Sequence, residues 1–267
     1  MSDALTKSHS PDYGLDAPKV VRNLLLGGTL GFLLWGAGAL KLWSGRIVAG
    51  PVAGITFIFP LANMGLWLGI GLTGMGLWMI WSSKSGKIKT RERLLDHIVW
   101  TGHEQVLDVG CGRGLMLIGA AKRLTTGKAT GVDIWQAEDL SGNRPEAALE
   151  NARREDVEAR VEIETADMRR LPFPDGTFDV AVSCAAIHNI YSAPERAKAI
   201  REIARVVRSG GQILIDDIRH HREYASTLAE CGCKDIRQIG SRTVMILLTL
   251  ITMGSLRPET LLVRKTP

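Results

Sequence analysis

The chain has 267 residues, a formal net charge of +5 and four cysteines. That length holds either one large domain or a domain with an appendage, and the surplus of positive charge favours anionic partners such as a phospholipid surface or nucleic acid. Cys111, Cys184, Cys231 and Cys233 exclude a disulfide framework, and a single Cys-x-Cys pair without companion ligands predicts no metal; a reducing, cytosol-facing compartment fits.

Residues 1–22 read as a polar N-terminal tail with no short apolar region ahead of a small-residue cleavage site. Within it, Asp12-Tyr13-Gly14 has two readings. It belongs to a disordered tail, or it folds back as a lid that brings Tyr13 to the substrate. Residues 23–40 carry no charge and, as a helix, are long enough to cross a hydrocarbon core of about 30 Å. Lys41, Trp43 and Arg46 border them, giving a first span over about 23–43.

No charged residue occurs between Ile47 and Ser83. At a rise of about 1.5 Å per residue, one helix of that length would overshoot a bilayer, and Pro51 and Pro60 supply the breaks. The second span is therefore placed at 61–81, within an anchor covering 23–83, and 47–60 becomes a loop or re-entrant segment on the far face. Trp35, Trp43, Trp67 and Trp78 suit a membrane interface. Gly65, Gly69, Gly71, Gly74 and Gly76 offer small-residue faces for helix packing in lipid.

Lys84, Lys87, Lys89, Arg91 and Arg93 follow within ten residues and mark 84–93 as a basic juxtamembrane linker. The positive-inside rule puts this end, and with an even number of spans the N-terminus too, in the cytoplasm. Lys41 and Arg46 on the outer loop weigh weakly against that. Anionic lipid is the nearer partner for the basic cluster, so no nucleic-acid partner is expected.

From residue 94 onward the pattern changes to charged, alternating strand and helix segments. Val106-Leu107-Asp108-Val109 runs into Gly110-Cys111-Gly112-Arg113-Gly114, and a helical pattern follows from Leu115. The order is strand, tight turn, helix, with glycines that permit positive φ and unpaired N–H groups at the helix start. An acid precedes the first glycine, where it would repel a pyrophosphate and attract a cation. Strands are expected over 129–134, 161–168, 178–184, 208–217, 234–239 and 259–265, the last antiparallel, with helices over 91–100, 145–154, 195–207 and 223–231.

The Asp-x-Gly-x-Gly-x-Gly spacing resembles the first motif of class I S-adenosyl-L-methionine (SAM)-dependent methyltransferases, and later motifs extend the resemblance over 94–267. It implies an α/β fold: a doubly wound, seven-stranded Rossmann-like sheet, here preceded by a two-helix transmembrane anchor. It also implies SAM as cofactor, with Asp108 and the backbone of Gly110, Cys111, Gly112 and Gly114 cradling the methionine portion. Asp133 lies twenty-five residues after Asp108, where doubly wound folds place a ribose-binding acid, and Ile134 would pack on the adenine. Asp167 and Met168 would meet the adenine amino group and ring, and Ser183 is a further cofactor candidate.

After the strand over 178–184 comes Ala185-Ala186-Ile187-His188-Asn189-Ile190-Tyr191, at the sheet end where open α/β folds place their sites. His188 acts as a general base toward the methyl acceptor, or it packs beneath SAM and moves no proton. Asn189 and Tyr191 are substrate candidates in the same loop. The apolar stretch 243–254 is too short to span a bilayer. It forms either a flap at the site mouth, suited to a greasy substrate, or a longer core strand.

Together these features predict a membrane-anchored methyltransferase with a lipophilic small-molecule or lipid acceptor. A SAM-binding membrane scaffold without turnover and a methyltransferase of a soluble acceptor are the alternatives. A nicotinamide-dependent dehydrogenase is disfavoured by the glycine spacing, and an arsenite methyltransferase by the absence of a thiolate trio.

Overall fold

The structure, a computed structural model, describes residues 10–52, 55–240, 242–251 and 257–266. The chain divides into two compact units: Gly14–Gly86 with Glu138–Ser141, and a larger one holding Tyr13 and the residues described before it, Lys87–Ala137 and the chain from Gly142 onward.

The smaller unit is built on two helices, α1 (Pro18–Ala39) and α2 (Leu61–Trp81). Pro18 opens α1, where its missing N–H leaves nothing unsatisfied. The first helix thus begins and ends earlier than the 23–43 expected. Between the helices, β1 (Ile47–Val52) and β2 (Ile55–Phe59) pair antiparallel. The expectation of a loop or re-entrant segment is corrected here to a β-hairpin, which pairs much of the backbone that a loop would leave open.

Glycine lets the two helices touch. A Cβ on Gly31 would lie 2.6 Å from the Gly65 carbonyl oxygen, and one on Gly65 would lie 2.7 Å from that of Gly31. Gly28 is closed off by Thr73, Gly69 by the Phe32 ring and Gly76 by Leu25. Gly71 and Gly74 meet nothing within 4 Å and are no part of the packing face expected of them. Outward, Leu26, Leu30, Leu33, Trp67 and Trp81 are all more than half exposed. Segment 138–141 pairs with the approach to α1: Ala17 N donates to Asp139 O (3.0 Å) and Ser141 N to Leu15 O (3.1 Å). A π-helical turn, Ser82–Gly86, follows α2.

The larger unit opens, after residues 10–13, with α3 (Lys87–Leu95). The stretch 84–93 is therefore not a plain linker, and Arg91 is buried rather than turned to solvent. Seven strands follow: β3 (Gln105–Val109), β4 (Lys128–Asp133), β5 (Val161–Thr165), β6 (Phe178–Cys184), β7 (Val207–Asp217), β8 (Cys233–Ile239) and β9 (Glu259–Lys265). Their order is β5-β4-β3-β6-β7-β9-β8. β9 runs antiparallel to both neighbours and every other pairing is parallel. Helices α4 (Leu115–Ala121), α5 (Pro145–Arg154), α6 (Ala193–Val206), α7 (His221–Glu230) and α8 (Arg242–Ile251) complete the unit.

Alternation along the central strands feeds two cores, as period-two geometry requires. Val106 and Val180 join Leu94, Leu95 and Leu117 on one face. Leu107 and Ala181 join Ile200, Ile203 and Leu228 on the other. Burial on both faces explains why these strands read as apolar runs. The apolar stretch after β8 is a helix, α8, and not a core strand; Ile246 and Leu250 on it are exposed. Residues 252–254 of the expected flap lie outside the described residues.

Candidate active site

Three connections meet at the carboxyl ends of the central strands. A Cβ added to Gly110, the first residue after β3, would fall 2.3 Å from the Ala186 Cβ and 3.4 Å from the Met168 Cε. The turn after β3, the connection after β5 and the loop after β6 are thus packed together. Glycine at 110 (φ 74°) is required by this packing as well as by its dihedral. Gly112 (φ 53°) and Gly114 (φ 83°) share the left-handed region, and Gly114 is the cap from which α4 starts.

Asp108 is buried, and the Leu117 N–H donates to its Oδ2 at 2.7 Å. Its carboxylate therefore reaches across the turn to hold the first turn of α4, fixing the glycine loop between two ordered elements. Burial pushes the Asp108 carboxyl up to about 7; the Leu117 hydrogen bond opposes the rise and nearby Asp133 adds to it.

Asp133 ends β4. Its Oδ2 accepts from Gly112 N (2.8 Å), and its Oδ1 accepts from Trp135 N (2.6 Å) and Asn143 Nδ2 (3.3 Å). Ile134 beside it is 48% exposed, leaving an apolar surface at the strand end. Asp167 forms a two-pronged pair with Arg169, whose Nη1 also reaches Glu195 at 3.1 Å. The guanidinium holds the Asp167 carboxyl below its ordinary range.

The side chains of two further cofactor candidates pack against the sheet. Ser183 is buried and its Oγ donates to Val109 O (2.8 Å), a rung between β6 and β3. The Cys111 thiol lies under the loop against β4, where a Cβ on Gly131 would come within 2.8 Å of its Sγ; burial pushes its pKa up. Tyr13, expected either as a lid or within a disordered tail, is neither: it is buried in the core of the larger unit. Tyr191 is 98% exposed, and only its carbonyl is held, by Arg196 Nη1 at 2.9 Å. Asn189 is half-buried, its N–H donating to Ala186 O (3.2 Å).

His188 stands in a built setting. Its Nδ1 lies 2.5 Å from Asp217 Oδ1, and its backbone N–H donates to Asp217 Oδ2 at 3.1 Å. Asp217, the last residue of β7, is fully buried and also accepts from Ile218 N (2.8 Å) and the Tyr224 hydroxyl (3.2 Å). A carboxylate oxygen is the acceptor in such a pair, so Nδ1 is its donor. Nε2 makes no hydrogen bond among the described residues. Arg196 clamps the loop, donating to the Ile190 and Tyr191 carbonyls while pairing with Glu223 of α7.

Asp217, Tyr224 and Arg196 were absent from the sequence-based site. A sequence signal for the first existed: Asp216-Asp217 closes the strand beside the one that leads into His188. Pairing of the two strands at Cys184 and Asp216 brings acid and imidazole together.

Part of this chain is similar to known proteins. Residues 107–215 match a family described as methyltransferase domain. A 27-O-demethylrifamycin SV methyltransferase of Amycolatopsis mediterranei is 31% identical over 176 residues, covering 64% of this chain and 59% of that protein. Methyltransferase GfsG of Streptomyces halstedii is 35% identical over 148 residues (54% and 49%). A sterol 4-C-methyltransferase of Caenorhabditis elegans is 34% identical over 118 residues (44% and 32%). The chain thus spans roughly a third to three-fifths of the length of these relatives.

Among solved structures, the cyclase SpnF superposes with a TM-score of 0.54 at 20% identity, covering 67% of this chain and 80% of that one. Geranyl diphosphate C-methyltransferase from Streptomyces coelicolor, in complex with S-adenosyl-L-homocysteine, gives 0.52 at 16% (67% and 79%). These likenesses establish the fold, which a cyclase shares, and leave the chemistry to the site. The matched segment is thus similar to a methyltransferase domain, and its named relatives are methyltransferases.

Proposed function

We propose that the protein is a membrane-anchored methyltransferase that uses SAM to methylate a lipophilic small molecule or lipid. One observation carries the reading. The chain that holds this site also holds two helices, each long and apolar enough to cross a bilayer and only 17% buried over its most apolar window. In water such a surface is costly; in lipid it is the ordinary state. Lys84, Lys89 and Arg93 remain exposed beyond α2 and favour a cytoplasmic position for this end and the N-terminus. Arg91 no longer contributes to that cluster.

The residues fit the cofactor on charge and shape. Asp133 closes β4 and Asp216 and Asp217 close β7, acidic groups at the carboxyl ends of the strands suited to a sulfonium cation and hostile to a pyrophosphate. Asp133 and Ile134 would hold the ribose and adenine, Met168 the ring, and the Gly110–Gly114 backbone the methionine portion. When bound, SAM supplies an electrophilic methyl group. The protein's share is to orient the acceptor and take its proton: His188 Nε2 receives it, and Asp217 stabilises the imidazolium through Nδ1. Acceptor class is supported by relatives named for a sterol, a rifamycin and, at 28% identity over 157 residues, phthiotriol dimycocerosates. The exposed apolar residues of α8 give a greasy acceptor a surface near the end of the sheet.

The test is incubation of the detergent-purified full chain with methyl-labelled SAM and a total membrane-lipid extract. Label in a lipid-phase product is expected. Label only in water-soluble product would replace the reading with a soluble acceptor. SAM binding without any label would replace it with a binding-only scaffold.

A further inference from the structure

The segment ahead of the hairpin makes contacts that the methyltransferase reading does not use. Asp12 is joined to Asn151 of α5 by two backbone bonds: its N–H donates to Asn151 Oδ1 (2.9 Å), and its carbonyl accepts from Asn151 Nδ2 (2.8 Å). The same Nδ2 donates to the carbonyl of Arg113, in the glycine loop, at 3.0 Å. The Asp12 carboxylate pairs with the Arg113 guanidinium at 2.9 Å. Asn151 is buried, so these bonds are shielded from competing water.

Tyr13 then enters the core. Its hydroxyl donates to Glu155 and accepts from Arg91 Nη1 at 2.9 Å, Arg91 reaches Glu155 at 3.1 Å, and Lys122 pairs with the other Glu155 oxygen. Lys87 Nζ donates to the Tyr13 carbonyl at 3.1 Å.

We infer that residues 10–13 form a strap that positions the cofactor loop, with Asp12 and Asn151 as positioning residues acting through Arg113. Tyr13 fastens the strap to α3 and α5; Asp12 and Asn151 then grip Arg113 at its side chain and its carbonyl, midway between Gly112 and Gly114. The loop's positive-φ glycines, Gly110, Gly112 and Gly114, lie within three residues of that grip. The loop is short and glycine-rich, so without an external hold its backbone would sample many conformations, only one of which presents the site. The inference rests on the cofactor reading for its functional consequence and on geometry alone for its structural one.

The experiment uses the full chain in detergent, with two readouts: hydrogen exchange of residues 110–117 without ligand, and calorimetric affinity for S-adenosyl-L-homocysteine. Asp12→Ala leaves the core untouched, since the Asp12 side chain is 64% exposed. It is expected to speed loop exchange and weaken the ligand about three-fold, the scale of a partly exposed ion pair. Asp12→Glu restores both, and 0.5 M salt erases the difference between wild type and Asp12→Ala. Asn151→Ala, which removes all three of its bonds to the backbone of Asp12 and Arg113, is expected to weaken the ligand roughly ten-fold. Unchanged exchange and affinity in Asp12→Ala and Asn151→Ala would overturn the strap, as would losses that follow the melting temperature and ignore Asp12→Glu. If wild type binds no ligand, the cofactor reading fails; exchange in the same variants still decides whether the strap holds the loop.

Discussion

At the scale of single residues, the site turns on carboxylates whose partners differ. Asp217 is buried and spends both oxygens inside the protein, one of them on His188 Nδ1. Asp217→Asn would present an amide to that nitrogen and favour the wrong tautomer. Turnover should fall about a hundred-fold or more with little change in cofactor affinity. His188→Asn should do the same; wild-type turnover in both variants would mean that the acceptor needs no base.

Asp108 gives a pH prediction. Its carboxyl is raised to about 7 in the fold, so the folded protein holds a proton that the unfolded chain releases near pH 4. The associated stability is present in full below the ordinary carboxylate pKa and is lost as pH rises through about 7. Asp108→Asn keeps an oxygen for the Leu117 N–H and cannot ionise. Relative to this variant, the wild type should lose melting temperature between pH 5 and pH 8. Parallel curves would show that Asp108 is ionised throughout.

At the scale of elements, helix packing in the smaller unit is decided by which glycines face the partner. Gly31→Leu or Gly65→Leu would drive a side chain into the opposing backbone, and each should lower the melting temperature in detergent. Gly71→Leu and Gly74→Leu meet open space and should leave it within about a degree. From spacing alone the five glycines of α2 looked alike; only the direction of approach of α1 separates them. The β-hairpin was hidden for a related reason. Its apolar residues suit lipid, strand and loop equally, and pairing was the only discriminator. By contrast, the strands of the seven-stranded sheet were legible because each ends in a turn or an acid that breaks the apolar run. The antiparallel strand 259–265 was read at its true bounds. His188 was found from its place after β6, whereas its Asp217 partner required knowing that β6 and β7 are neighbours in register.

At the scale of the whole molecule, the larger unit includes Tyr13 as well as the chain from Lys87. A cut before residue 84 removes Tyr13 from the core and leaves Arg91 and Glu155 without it. Replacing 14–86 by a flexible linker of about eight residues would keep the strap and remove the apolar helices. That chain should be soluble and more stable than 84–267 by about 3 kcal/mol, the usual cost of emptying a large buried site. Equal denaturant midpoints for the two would show that residues 10–13 contribute nothing to the fold.

The bond from Lys87 to the Tyr13 carbonyl has a consequence for biogenesis. It ties together the two points where the chain leaves the larger unit and returns to it. Whatever bilayer the intervening residues cross, they must cross it an even number of times, or Tyr13 and Lys87 end on opposite sides. A ribosome delivers Tyr13 first, then both helices, and only afterwards Arg91, Asn151 and Glu155. A chain with Tyr13 and Lys87 on opposite sides would therefore lack the contacts of Tyr13 with Arg91 and Glu155.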